Sequence, residues 1–291
     1  MRWNPRGRRS RSVSSPLAGE DWGSLREGPP RLVPPLPTSP NRGEGSARDR
    51  VNLADEKPVI VLVGLRLEAR IAIGENAVVV CHDKAHGVPD LLDAALKAGC
   101  TSIISFGLAG ALAPQYLAGD CVVASGIVDQ GKLVPTSALW TSRLLETVPH
   151  AIYAPILGVD TPIIHTAVRR DSHLLSLAIA ADNESHIVAR FALEHGLELA
   201  ALRVVIDPAH RRVPQTVLAG LNSDGSTDLL AMLRGLILRP GQTLDLLRLT
   251  ADYVVARARL LEARRLLGAD FGRPPSRCSI PAVSCDESSS G

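Results

Sequence analysis

The chain has 291 residues, 45% of them hydrophobic and 21% charged, with a formal net charge of +2. That balance is ordinary for a globular protein of one large or two small domains. No apolar run reaches the roughly 18–20 residues of a membrane span, so stable membrane insertion is not expected. Residues 1–50 hold ten Arg and five acids, a net of +5, which leaves the remainder at −3 and gives no basic nucleic-acid footprint on the folded part.

Residues 1–57 are rich in Arg, Pro, Ser and Gly and lack hydrophobic periodicity. They bury too little apolar surface to offset their ordering entropy and read as a disordered extension. The functional alternative is a basic arm touching phosphate or anionic lipid. The N-terminus has arginines but no apolar h-region, so a secretory signal is not expected.

The folded part begins near Pro58. "PVIVLVG" (58–64) is a continuous β-branched apolar run, the pattern of a buried strand. "NAVVVC" (76–81) is a second. "VPDLLDAALKAG" (88–99) has helical spacing with Gly99 as its stop. "CTSIISFGLAGAL" (100–112) is a third strand running into small residues, and "GDCVVASGIV" (119–128) a fourth. "HAIYAPILGV" (150–159) is a fifth, followed by helices at about 166–178 and 184–196 and a strand over 200–207. Residues 227–238 and 243–268 read as amphipathic helices. Residues 269–291 are Pro- and Ser-rich and read as a loose tail. Strands alternating with helices predict an α/β fold, with a largely parallel or mixed sheet covered on both faces.

The five cysteines, Cys81, Cys100, Cys121, Cys278 and Cys285, show no paired spacing. They read as reduced thiols of a cytoplasmic protein, with no metal site. His186 reads as a helix residue partly facing the core. The other histidines assigned no role, His82, His86, His165, His173, His195 and His210, form no local constellation. A nucleophile elbow and a P-loop are both absent from the sequence.

In open α/β sheets ligands gather at the carboxyl ends of strands. After the first strand come Arg66, Glu68 and Arg70. After the third comes "FGLAGAL" (106–112), either a tight strand-to-helix turn or a backbone that a flat ligand approaches closely. Asp182 reads as a helix N-cap and Glu184 as a first-turn carboxylate, favoured by the helix dipole. Glu184 is equally an acceptor able to take both hydroxyls of a vicinal diol. Asp207 ends a buried-looking strand. It is either a turn-starting Asp-Pro or a general acid whose burial keeps a proton available.

"FGLAGAL", "ADNESHIVARFA" and "ALRVVIDPAHR", in this order, resemble the nucleoside phosphorylase and nucleosidase superfamily over roughly residues 58–268. The "DNESH" and "LRVVIDPAHR" segments look most like its hopanoid-associated branch, the adenosylhopane nucleosidases. The resemblance implies a three-layer α/β/α catalytic domain over 58–268 with a mixed central sheet. It also implies cleavage of a purine from a ribose, without a cofactor but with inorganic phosphate as a co-substrate in phosphorylases. Asp207 matches the acid that serves N7 of the base, and Glu184 the acid that holds the 2′- and 3′-hydroxyls. Ala109 and Gly110 match the loop beside base and sugar, and Glu68 the carboxylate that activates water. Arg66 or Arg70 would hold phosphate instead.

Asn183 stands where the family usually has Met, Ile206 where it often has Ser, and Ala111 where a second Gly is common. "CHDKAHG" (81–87) lacks the glycines often found after the second strand. The implied substrate is a 5′-substituted adenosine, adenosylhopane in that branch, which suits a peripheral position at the inner membrane. A methylthioadenosine or adenosylhomocysteine nucleosidase is the alternative within the class, and a non-catalytic ligand-binding homologue the alternative outside it. Homo-oligomers are common in the family.

Overall fold

A computed structural model of the chain describes residues 57–81, 87–211 and 243–275. The N-terminal extension before Lys57, the histidines at 82 and 86, the helix read over 227–238 and the tail from residue 276 lie outside the described residues. The elements run β1 (Val59–Val63), α1 (Arg66–Ala72), β2 (Ala77–Cys81), α2 (Val88–Lys97), β3 (Ser102–Ala111), β4 (Cys121–Asp129), β5 (Lys132–Pro135) and α3 (Ala138–Thr147). They continue as β6 (Ile152–Gly158), α4 (Thr166–Ser176), β7 (Ala180–Asp182), α5 (Ser185–His195), β8 (Glu198–Asp207) and α6 (Thr243–Leu267).

The strands form one mixed sheet. β1 pairs in parallel with β2 and β3, and β3 in parallel with β8. β8 then pairs antiparallel with β4, β4 in parallel with β6, and β6 in parallel with β7. β7 returns antiparallel to the far end of β3 at Gly110 and Ala111. The strands β3, β8, β4, β6 and β7 therefore close a circuit, and the sheet curls on itself. β5 folds back on β4 through Gln130 and Gly131, both at positive φ, as a two-residue hairpin turn requires.

Helices cover both faces, which gives the expected α/β architecture. All five side chains of β1 are buried, and they alternate between two cores. Ile60 and Leu62 join one with residues of α2 and α5, while Val59, Val61 and Val63 join the other with residues of α1, α3 and α6. Each such burial contributes about 1.5–3 kcal/mol. α2 and α5 stop at Gly99 and Gly196, both at positive φ, the two glycines at which the sequence is expected to end these helices.

Three expectations need correction. "GLRLEAR" is not simply a loop after β1, because residues from Arg66 onward form α1. Glu68 stabilises that start by accepting the N–H of Leu65 at 2.8 Å and of Gly64 at 2.9 Å. "FGLAGAL" is not a turn into a helix, because residues 106–111 stay extended inside β3. Its small residues are needed where charged side chains press on the strand. Finally, the first residues of the loose tail are core. Phe271 is buried edge-on to Phe106, with ring centres 5.3 Å apart and the Arg264 guanidinium 4.2 Å over its ring. The Phe271 carbonyl accepts the Trp140 indole N–H at 2.9 Å, and Arg273 reaches Ser102 Oγ at 3.0 Å. None of the helices among the described residues is long and apolar enough to cross a membrane.

Candidate active site

The end of β1, the middle of β3, the β7–α5 junction and the second half of β8 meet around one buried cation. Arg203 of β8 has no exposed surface. Its Nε lies 3.0 Å from Asp182 Oδ2, and its Nη2 lies 3.2 Å from Glu184 Oε2. Nη2 also donates to Ser105 Oγ at 2.5 Å, and Nη1 to the Leu108 carbonyl at 3.4 Å. Asp182 ends β7, two positions before Glu184, and it is Glu184, expected in the first turn, that occupies the N-cap position of α5 in place of Asp182. Asp182 Oδ1 nevertheless accepts the N–H of Glu184 at 2.9 Å and of Ser185 at 2.6 Å. The hydroxyl of Ser185 donates to Asp182 Oδ2 at 2.6 Å and lies 2.9 Å from Ser105 Oγ, so the network is continuous from α5 to β3.

Glu68 enters from α1. Its Oε1 accepts the Leu108 N–H at 2.7 Å, which ties the helix start to β3. Gly107 explains why this is possible. It sits at φ +151°, and a Cβ there would lie 2.7 Å from the Glu68 carboxyl and 2.8 Å from Arg203 Nη1. Gly107 is also the register partner of Arg203. A Cβ on Gly64 would likewise collide with the Glu184 carboxylate.

Burial is the largest influence on each of the acids whose acidity is shifted here. It pushes Glu68 up, against the opposing pull of Arg203 and three backbone N–H groups. It pushes Glu184 to about 7, where Arg203 pulls down and the charges of Asp182 and Glu68 push further up. For Arg203 burial acts downward, but the carboxylates of Asp182, Glu184 and Glu68 outweigh it and hold the guanidinium charged.

Asp207 stands apart from this cluster, at the end of β8. Its register partner is Gly110, where a bulge interrupts the β3–β8 ladder, and a Cβ on Gly110 would lie 2.9 Å from Asp207 Oδ1. Oδ2 is paired with the guanidinium of Arg169 from α4. Burial raises the Asp207 pKa, and Arg169 opposes that rise. Close by, Arg211 pairs with Asp252 of α6.

The residues proposed from sequence thus fall into two groups. Glu184 is ion-paired with Arg203 and Glu68 lies beside that cation at Gly107, with half-buried Asn183 between Asp182 and Glu184. Asp207 and Gly110 meet on Arg169. Ala109 is packed into the core shared by α2 and α5, so its side chain faces other residues. Arg66 is exposed at the first position of α1. His186 is buried against Gly158, with Nε2 3.1 Å from Asp160 Oδ1. Sequence reasoning missed Arg203 and Arg169. The first had a signal, an arginine inside the apolar run "ALRVVID". The second lies in a polar helix and had none. Among the described residues no group of three or more His, Cys, Asp or Glu is placed to hold a metal ion.

No family model and no curated protein matches the chain. Among solved structures it is similar to a 5′-methylthioadenosine/S-adenosylhomocysteine nucleosidase from Helicobacter pylori bound to butyl-thio-DADMe-Immucillin-A. That pair has 14% identity and a TM-score of 0.48, covering 72% of this chain and 98% of the other. It is also similar to the futalosine hydrolase of Helicobacter pylori, at 17% identity and a TM-score of 0.47, over 62% of this chain and 97% of that one. A P. knowlesi homologue of P. falciparum PNP gives 13% identity and a TM-score of 0.45, over 70% and 91%.

Proposed function

We propose that this protein cleaves the N-glycosidic bond of a 5′-substituted adenosine, with water as the nucleophile. One observation carries the reading. Two separately tuned acidic groups, Glu184 with Glu68 on Arg203 and Asp207 on Arg169, border the same strand at Gly107 and Gly110. Two residues of strand lie between these glycines, so they are about 10 Å apart, a span that a nucleoside can bridge.

Cleaving a purine from ribose develops positive charge on the sugar and negative charge on the leaving base. A carboxyl whose hold on a proton is raised by burial supplies the base with that proton, and this is the role of Asp207. Glu184 holds the 2′- and 3′-hydroxyls. With a pKa of about 7 it both accepts and donates near neutrality. As the bond between C1′ and the base nitrogen breaks, its electron pair goes to the base, which takes the Asp207 proton. The oxygen of water bonds to C1′, and the water proton passes to Glu68.

Water is favoured over phosphate because Glu68, Asp182 and Glu184 outnumber Arg203 three to one, and that field opposes a dianion. Arg66 is the residue that would serve a phosphorolytic reaction. The sequence resemblance points to adenosylhopane as substrate, giving adenine and a ribosyl hopane in hopanoid side-chain biosynthesis. A cytoplasmic protein acting at the face of the inner membrane fits that substrate. The folded unit that does this is residues 58–268, extended through Arg273.

The test is adenine release from adenosylhopane and from methylthioadenosine, each with and without phosphate. Release that does not depend on phosphate, faster with the lipid-linked substrate, is the expected result. Absence of adenine from every 5′-substituted adenosine would overturn the reading.

A further inference from the structure

We infer that Arg169 is a positioning residue for the acid, orienting the Asp207 carboxyl and strengthening it as a proton donor; this rests on the reading of Asp207 as general acid. α4 is the starting point. Of its eleven residues only Arg169 is buried. Helices normally dock through apolar side chains, and this one sends a guanidinium inward.

The side chain is held at three points. Nε donates to the Ile163 carbonyl at 2.8 Å, Nη1 to the Pro208 carbonyl at 3.3 Å, and Nη2 to Asp207 Oδ2. Two of the three partners are main chain, so the guanidinium plane is fixed independently of the carboxylate. One anchor lies in the segment before α4, the other directly after Asp207. A buried ion pair of this kind adds little net stability over an apolar pair of the same shape. Stability alone therefore does not account for an arginine here.

The geometry distinguishes the two oxygens of Asp207. Oδ2 receives Nη2–H and is a poor site for a proton. Oδ1 lies against Gly110, on the side of β3 where no Cβ intervenes. The acidic proton is thereby assigned to Oδ1. On transfer, Asp207 passes from neutral carboxyl to carboxylate, and Arg169 stabilises the charge that appears. That interaction is stronger after transfer than before it, which is the condition for lowering a barrier.

The experiment is the pH dependence of adenine release by the full chain, comparing wild type with Arg169→Met and Arg169→Lys. A general acid makes the rate fall as pH rises through its pKa. Removing Arg169 leaves burial unopposed, so the falling limb moves to higher pH by one unit or more. The plateau rate drops about 10- to 100-fold, within the range general-acid catalysis supplies. Arg169→Lys keeps a charge but loses the fixed plane and gives a smaller displacement of the limb in the same direction.

A plateau that drops while the limb stays in place would assign Arg169 a purely structural role and overturn the inference. If Arg169→Met does not fold, the lysine variant carries the test. Titration of the Asp207 carboxyl by 13C NMR in wild type and Arg169→Lys reads the acid without turnover. A wild type that releases no adenine defeats the functional reading, whereas coincident Asp207 titrations defeat this one.

Discussion

Two arginines in this protein are equally buried and differently used. Arg203 sits among three carboxylates, and Arg169 meets one. The first site therefore carries excess negative charge and the second is balanced. Burial first, and then the charges of Asp182 and Glu68, raise Glu184, the most exposed of the three carboxylates, to about 7 against the pull of Arg203. A balanced pair instead sets the strength of a single acid. The difference teaches that one sheet end can hold two carboxylates whose acidity is set separately, because each has its own cation.

The sharpest way to break the comparison is to remove the cations in turn. Arg203→Met leaves three buried acids without compensation and costs about 3–5 kcal/mol, read as a lowered midpoint in chemical denaturation. Arg169→Met exposes only Asp207 to that penalty and should cost clearly less. Equal losses would show that the two sites do not differ as described. Asp207→Asn comes next. The amide still accepts from Arg169 but has no acidic proton, so adenine release falls about 10²- to 10⁴-fold while the denaturation midpoint stays near wild type. A rate within threefold of wild type would remove Asp207 from the chemistry.

Gly110→Ala tests the contact on the balanced side. A methyl 2.9 Å from Asp207 Oδ1 must shift the carboxyl, and release is expected to fall about tenfold with a small effect on stability. Unchanged kinetics would mean that Oδ1 does not face the reacting base. The smallest effect is on pH-dependent stability. The Glu184 pKa rises from its ordinary 4.5 to about 7 on folding, so the folded state holds the extra proton between those values. Its contribution is fully present below pH 4.5 and is lost as pH rises through 7. Glu184→Gln removes that dependence. The variant gains about 1–3 kcal/mol relative to wild type between pH 4.5 and 8, seen in denaturation curves across that range. Parallel pH profiles for the two proteins would assign the raised acid elsewhere.

Much of the fold was legible because its signals are local. β1, β2 and β8 announce themselves as β-branched apolar runs, and α2 and α5 end at glycines. β5 and β7 were missed, since strands of four and three residues carry too little periodicity to detect. α1 and α3 were missed as well. The seven residues of α1 are too few to show a helical period, and its third residue, Glu68, bonds to Gly64 and Leu65 before the helix and to Leu108 of β3. The closed circuit of strands has no sequence signature, because it depends on β8 pairing with both β3 and β4.

The sequence by itself determined which residues carry charge at the strand ends, and the order of Glu68, Glu184 and Asp207 along the chain. It also placed small residues at Gly107, Ala109, Gly110 and Ala111. Only the tertiary structure decided what the small residues are for. Gly107 and Gly110 lie opposite Arg203 and Asp207 in the β3–β8 ladder, and side chains from α1 and β8 fill the space a Cβ would take. It also decided that Arg169, one polar residue among many in α4, faces inward. Charge and size are properties of single residues, whereas burial and pairing belong to residues tens of positions apart, brought together by the closure of the sheet.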